Sequence, residues 1–315
     1  MALPSDTLSS FAAIGNREDL ADIIYDISPA ETPFLTAIPK TKATGTKHEW
    51  QTHALTAASG TNKVLEGDDA TTDAATVTAR VYNYRQISDK VARVTGTQEV
   101  VNKAGRRSEM AFQMEARMKE LKRDVETRLL GNYASAVGNA TVAPECGGLQ
   151  AWVKTNIDKA SDATASAGNG TDIHTDGTAR ALAESQVEAA LSLAWTNGGN
   201  PTLGVLNAFQ KRKFAAFSGN ATRTSNGDAK KVVNSIDIYI DPLGNEVRLV
   251  PCRQVPTDVI YFVDPEYAKF AVLRDFKSQD LAKTGDSERK QIIVEYTLEV
   301  CQEKAHAAVY DLTAS

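Results

Sequence analysis

The sequence predicts an α+β fold, on three observations. Residues 108 to 131 place Met110, Met114, Met118, Leu121, Val125 and Leu129 three or four apart, which draws one apolar stripe on a helix. Residues 291 to 300 alternate as a strand, with Ile292, Val294, Tyr296, Leu298 and Val300 on one face and Glu295, Thr297 and Glu299 on the other. Residues 178 to 251 switch between helical and strand patterns, as a compact α/β unit does. The stripe and the apolar strand face are expected to pack together. One domain then forms from the middle and the end of the chain, with the α/β unit inserted between them.

Residues 1 to 45 read as an arm, with a short helix capped by Asn16 and running to Tyr25. Pro29, Pro33 and Pro39 lack the amide donor and push the residue before them to extended geometry, so neither a helix nor a central strand is expected across them. Yet Ile23, Ile24, Tyr25, Ile27, Phe34, Leu35, Ile38 and, just beyond, Trp50 are large and apolar. An extended segment of that kind needs a surface to lie on, either its own domain or a neighbouring subunit.

Residues 46 to 95 read as a long two-stranded excursion. Its strands are expected over Lys47 to Leu55 and Thr76 to Val94, around a small polar tip, Ala57 to Asp73. The second strand is rich in β-formers, but neither face is cleanly apolar. At about 3.3 Å per residue such a ribbon could reach roughly 50 Å from the body. The helix at 108 to 131 follows, capped by Ser108 and closed by Gly131, a rod of roughly 33 Å. Glu115–Lys119, Lys122–Glu126 and Asp124–Arg128 are spaced for ion pairs on its exposed faces.

Residues 132 to 178 are loop-rich, and Gly147-Gly148-Leu149 with Ala160 to Thr171 are expected to bury little surface. In the α/β unit a helix is expected over Ala179 to Thr196, a strand at Thr202 to Leu206, and a second helix over Ala208 to Phe217 capped by Asn207. Strands at Ile236 to Ile240 and Val247 to Pro251 are joined by the turn Asp241 to Asn245. The chain returns in strands at Val259 to Val263, Tyr267 to Leu273 and Gln291 to Val300, with Thr284 to Ser287 a β-turn.

The chain has 315 residues, 42% hydrophobic and 24% charged, ordinary for a globular protein with a real core. No apolar run is long enough to span a membrane, and the N-terminus lacks the basic and apolar regions of a signal peptide. The net charge of −5 shows no dominant basic patch of the kind that neutralises nucleic-acid phosphates. Cys146, Cys252 and Cys301 are odd in number and widely spaced, so they read as free thiols.

Motifs for phosphate-binding loops, dinucleotide sites and nucleophile elbows are missing. His48, His53, His174 and His306 are scattered; Glu303-x-x-His306 has the spacing of a di-iron ligand pair in a single copy near a strand. Glu66-Gly-Asp-Asp69 lacks the full calcium-loop pattern and reads as a solvated or neighbour-contacting acidic tip. No catalytic, cofactor or metal site is implied.

The order of parts, with Ile27-Ser-Pro-Ala-Glu-Thr-Pro-Phe34, Gly45-Thr-Lys-His-Glu-Trp50 and Val259-Ile-Tyr-Phe-Val-Asp-Pro-Glu-Tyr267, resembles the major capsid proteins of tailed double-stranded DNA bacteriophages, the Hong Kong 97-type capsid fold. The resemblance spans nearly the whole chain. It implies an N-terminal arm at 1–45, an E-loop at 46–95 and a first P-domain part at 96–177 containing the spine helix. It further implies an A-domain at 178–256, then its exit and the returning P-domain strands at 257–315. Such proteins assemble with themselves as hexamers and pentamers into an icosahedral shell around DNA in the host bacterial cytoplasm. A portal protein joins them, as do separate scaffolding and decoration proteins where these exist. The chain begins almost at its arm, so any scaffold is expected to be a separate protein.

Some relatives cross-link through an E-loop lysine. Lys63 is suitably placed, but no partner asparagine or catalytic carboxylate can be assigned. Subunit contacts are expected from Lys63, Glu66, Asp68 and Asp69 in the excursion, Phe34 and Trp50 at the arm, and Arg106 and Arg107 before the long helix. An encapsulin-like cellular compartment is the related alternative. An α/β enzyme with appended arms is the distant one, disfavoured by the missing motifs.

Overall fold

The long helix organises the body. The computed structural model describes residues 29, 31–70, 72–217 and 237–314; the helix predicted over Asn16–Tyr25 lies outside them. Before the long helix come α1 (Pro33–Ala37), β1 (Lys40–Lys42), β2 (Lys47–Thr52), β3 (Ala79–Tyr84), β4 (Gln86–Thr95) and α2 (Gly96–Val100). The long helix is α3 (Glu109–Leu130); Ser108 Oγ accepts from the amide of Ala111, and the Gly131 amide closes on Thr127 O, as the caps predict.

Leu121, Val125 and Leu129 of the stripe are fully buried. Met114 and Met118 are half-buried at its margin, and Met110 packs on Ala92 and Val94 of β4. Glu115 and Lys119 pair at 2.8 Å as expected. The other two expected pairs do not form. Asp124 pairs with Lys90, Arg128 pairs with Glu145, and Glu126 is wholly buried, because each meets a partner from another element.

Two long strands return beneath this helix, β10 (Ala268–Asp280) and β11 (Ser287–Val300), in a four-stranded sheet ordered β1-β10-β11-β4. The predicted face of β11 is buried against the helix stripe. The opposite face is buried too: Thr297 Oγ1 donates to Tyr84 O at 2.8 Å, and Glu295 takes Arg85 and Arg274. Both strands outrun their predicted limits. Their polar ends hold together by cross-strand bonds such as Gln279–Gln291 at 2.8 Å and Lys290–Asp280 at 3.1 Å, and Gly285 (φ 76°) lies in the predicted turn.

A second sheet of six strands runs β5-β12-β9-β6-β8-β7: β5 (Ile157–Asp158), β6 (Leu203–Leu206), β7 (Ile238–Ile240), β8 (Glu246–Pro251), β9 (Ile260–Val263) and β12 (Ala307–Val309). It therefore draws strands from before and after residues 178–256. Helices α4 (Glu184–Thr196) and α5 (Ala208–Phe214) bury Val187, Leu191 and Phe214 on it. Asn207 Oδ1 caps α5 at 2.9 Å, and Asp241 Oδ1 accepts the amides of Leu243 and Asn245 in the predicted turn. Helix α4 starts later than predicted, because Arg180 is committed elsewhere: its amide donates to Asp311 O, and its carbonyl accepts from Thr313.

Two expectations are corrected. The prolines do not exclude a helix: Pro33 occupies the first turn of α1, where a missing amide costs nothing, and β1 lies at a sheet edge, parallel to β10. The loop-rich segment is not peripheral either. Cys146, Leu149, Trp152 and Val153 enter the main core. Gly148 permits this, since a Cβ there would sit 2.1 Å from Gly131 O.

His306 is buried beside this core, with Nδ1 accepting the Asp264 amide at 3.2 Å. Burial pushes its pKa down to about 4. A base whose folded pKa is depressed contributes stability that is full above its unfolded value, about 6.5, and is lost as pH falls through that value toward the folded one. Urea unfolding between pH 7 and pH 4 should therefore show a loss of about 3 kcal/mol from this group, at about 1.4 kcal/mol per pH unit. The variant His306→Gln should lack that component of the slope.

Candidate functional site

The excursion leaves the body as a short ribbon. β2 and β3 pair antiparallel from Lys47↔Tyr84 to Thr52↔Ala79. At about 3.3 Å per residue, six paired residues span about 20 Å, well short of the expected ribbon. The strand expected over Thr76 to Val94 is split at Arg85. β3 pairs with β2, while β4 joins β11 from Gln86↔Tyr296 onward. The Arg85 guanidinium is held by buried Glu295, which fixes the chain where it changes sheets. From 53 to 80 every described residue is exposed, and none of the described residues between the ribbon strands belongs to a helix or strand.

The base is anchored tightly. Asn83 is fully buried; its Nδ2 donates to Leu298 O at 2.8 Å and Gly147 O at 3.3 Å, and its Oδ1 accepts the Gly147 amide at 2.9 Å. His48 bonds Glu299 at 2.8 Å. Burial pushes the Glu299 carboxyl up, but His48, Cys301 and Lys269 outweigh it and hold the group below the usual range. On the ribbon face Lys47 bonds Glu49 and lies 3.8 Å over the Tyr82 ring. Glu49 is held below its ordinary value by Lys47 first, and by Arg80.

The expected contact residues fall in four places. Lys63, Glu66, Asp68 and Asp69 lie together on the exposed tip, where Gly67 (φ 86°) allows the turn in which the Asp68 amide meets Leu65 O. Arg106 pairs with Glu109 and sits over Phe112, and Arg107 is exposed beside it, past the far end of β4. Trp50 is half-buried at the base, its ring 5.4 Å from Trp152. Phe34 is fully buried in the core of its own chain.

Sequence reasoning missed two residues that position these parts. Asn83 carried a signal, a lone amide among β-formers, which a buried strand tolerates only when bonded. Glu126 carried none. Its two carboxylate oxygens accept the Phe34 and Leu35 amides at 2.8 and 2.7 Å, capping α1 from another helix, while Cys252 Sγ donates at 3.6 Å. Burial raises the Glu126 pKa despite those bonds.

Two carboxylates among the candidate metal ligands, Glu303 and Asp311, are bonded within the chain. Glu303 accepts the Lys154 and Thr155 amides and the Thr155 hydroxyl, away from the His306 contacts. His174, Asp176 and Asp311 cluster, but Asp311 takes the amides of Ala160 and Gly177 at 2.9 Å and the His174 ring at 3.3 Å, tying the loops together. No described helix is long and apolar enough to cross a membrane.

The model of the SU10 major capsid protein family matches residues 7–313. The major capsid protein of Escherichia phage Phieco32 is 27% identical over 327 residues, covering 92% of each chain. Among solved structures, the Cyanophage A-1(L) capsid asymmetric unit is similar with a TM-score of 0.68 at 12% identity, covering 97% of this chain and 98% of that one. The capsid of a native GTA particle gives 0.67 at 12% identity, over 99% and 100%.

Proposed function

Because the chain belongs to the SU10 major capsid protein family, we propose that it assembles as hexamers and pentamers into a closed icosahedral shell around double-stranded phage DNA. It is a structural component of a phage virion. The observation that carries the assembly reading is the excursion. The described residues between β2 and β3 lie beyond a base tied to the body through Asn83 and His48, and Leu55, Val64, Leu65 and Val77 are bare to solvent. Such a segment gains its burial only when another subunit covers it.

In this reading residues 46–95 act as the E-loop and α3 as the spine helix of the P-domain. Residues 178–256, which carry α4 and α5, act as the A-domain, around the capsomer axes. The chain works without catalysis. Its net charge of −5 suits a lining that holds DNA without adhering to it during packaging. A portal protein and, where present, scaffolding and decoration proteins complete the particle, which assembles in the host bacterial cytoplasm.

Electron microscopy of the concentrated, purified protein, with light scattering alongside, tests this. Closed shells, tubes or capsomer rings are expected. A monomer whose residues 53–78 resist proteolysis would overturn the reading, because the excursion would then have found its cover within one subunit.

A further inference from the structure

Four ionisable side chains meet where three parts of the chain, far apart in sequence, come together. His174 and Asp176 flank Thr175, which bridges to Thr164 across the loop-rich segment. Asp311 follows β12. One ligand-type atom from each of His174, Asp176 and Asp311 lies within 4.8 Å of the others. Asp258, just ahead of β9, is close enough for its charge to interact with all three. Three carboxylates therefore share one imidazole. The ion pairs of Asp176 and Asp311 among the described residues both run to that ring.

The imidazole is poorly bonded for a buried group. The side chains of His174 and Asp311 are wholly buried, while that of Asp176 is 59% exposed. His174 Nδ1 has no hydrogen-bond partner. Nε2 faces both carboxylates but stands off from them, 3.3 Å from Asp311 Oδ1 and 3.9 Å from Asp176 Oδ1. A charge-assisted bond closes to about 2.7–2.9 Å. His48 does so in this chain, meeting Glu299 at 2.8 Å. A buried ring with neither nitrogen in a short bond, facing an excess of carboxylates, calls for a cation.

The spacing is that of donors around a metal. Held about 2.0–2.2 Å from zinc, tetrahedral ligands stand about 3.3–3.6 Å from one another. Nε2 and Asp311 Oδ1 are already at 3.3 Å, and the exposed Asp176 can close the remaining gap. Asp311 is braced as a metal-bound carboxylate is, by the Ala160 amide on Oδ2 and the Gly177 amide on Oδ1, each at 2.9 Å. His174 is held by Asn132, which accepts its amide at 3.0 Å and donates to its carbonyl at 2.7 Å. Its ring packs 4.6 Å from that of Tyr310. Exposure at Asp176 gives an ion a way in.

We propose that His174 Nε2, Asp176 and Asp311 bind one divalent transition-metal ion of the zinc type, with water in the fourth position and Asp258 beside it. The imidazole nitrogen selects this class over magnesium and calcium, which favour all-oxygen shells. Two carboxylates neutralise the ion's charge. Bound there, it clamps the 174–176 loop to the end of β12. The site is independent of the shell reading.

Metal loading of the purified full chain tests it. Stripped with a chelator and dialysed against Zn²⁺ in millimolar Mg²⁺, the protein should retain about one Zn²⁺ per chain by elemental analysis and melt at a higher temperature than the stripped form. Asp176→Asn removes one donor at an exposed position. It should melt like the stripped wild type and bind Zn²⁺ at least tenfold more weakly in a calorimetric titration. Co²⁺ in place of Zn²⁺ should give the visible absorption of a four-coordinate site with no thiolate charge-transfer band. A wild type that retains no Zn²⁺ overturns the site. So does Asp176→Asn binding Zn²⁺ as tightly as the wild type, or a thiolate band, which would place the ion on a cysteine. Each of these leaves the shell reading standing.

Discussion

Asn83→Asp is expected to destabilise the subunit by about 3–5 kcal/mol, the range for leaving a buried charge without its partner. The substitution changes one atom and almost no volume. Nδ2, which donates to Leu298 O and Gly147 O, becomes an oxygen facing two carbonyl oxygens. Only the Gly147 amide remains as a donor to the side chain. Three parts are tied at this point: the excursion base, β11, and the loop that enters the core beside Trp152.

Urea unfolding gives the stability change, and limited proteolysis near Lys47–Thr52 reports loosening of the ribbon. The pH dependence separates charge from shape. Burial raises the folded pKa of the new carboxyl above its unfolded value of about 4, so the penalty is present at neutral pH and fades as pH falls toward 4. Asn83→Ala should cost less, about 1–3 kcal/mol, with no such pH dependence.

Glu126→Leu is expected to cost about 2–5 kcal/mol, since the amides of Phe34 and Leu35 each lose their acceptor at roughly 1–3 kcal/mol apiece. Relief from burying a carboxylate opposes this, which keeps the effect below the loss of two charge-assisted bonds in full. Thr32 supplies no side-chain cap to α1, so Glu126 alone fills that role among the described residues. Hydrogen exchange should show faster opening across residues 34–43 than across α3. Glu126→Gln keeps one acceptor oxygen and should fall between. Equal protection of the arm in all three proteins would remove Glu126 from this role.

Both residues mark where reading the chain alone stops. Residues near one another in sequence decided the long helix and its caps, the apolar face of β11, the Asn207 cap and the Asp241 turn. Each follows from side-chain period or from bonds reaching two to four residues, so the neighbours suffice. The capsid resemblance was likewise legible, because it lies in the order of these parts and in short motifs. The acidic tip was legible as a cluster, since its members are adjacent in the chain.

Tertiary structure alone decided the rest. A helix forms among the prolines because Glu126, 92 residues from Phe34, caps it. The polar face of β11 is buried because Asn83, 215 residues from Leu298, and Arg85 bring the excursion base onto it. The glycine-rich loop reaches the core because Gly148 can approach Gly131 O without a side chain between them. In each case a polar or small residue is at ease only beside a partner from another element. Local propensity scores such a residue as exposed, and only the assembled fold supplies the partner that buries it.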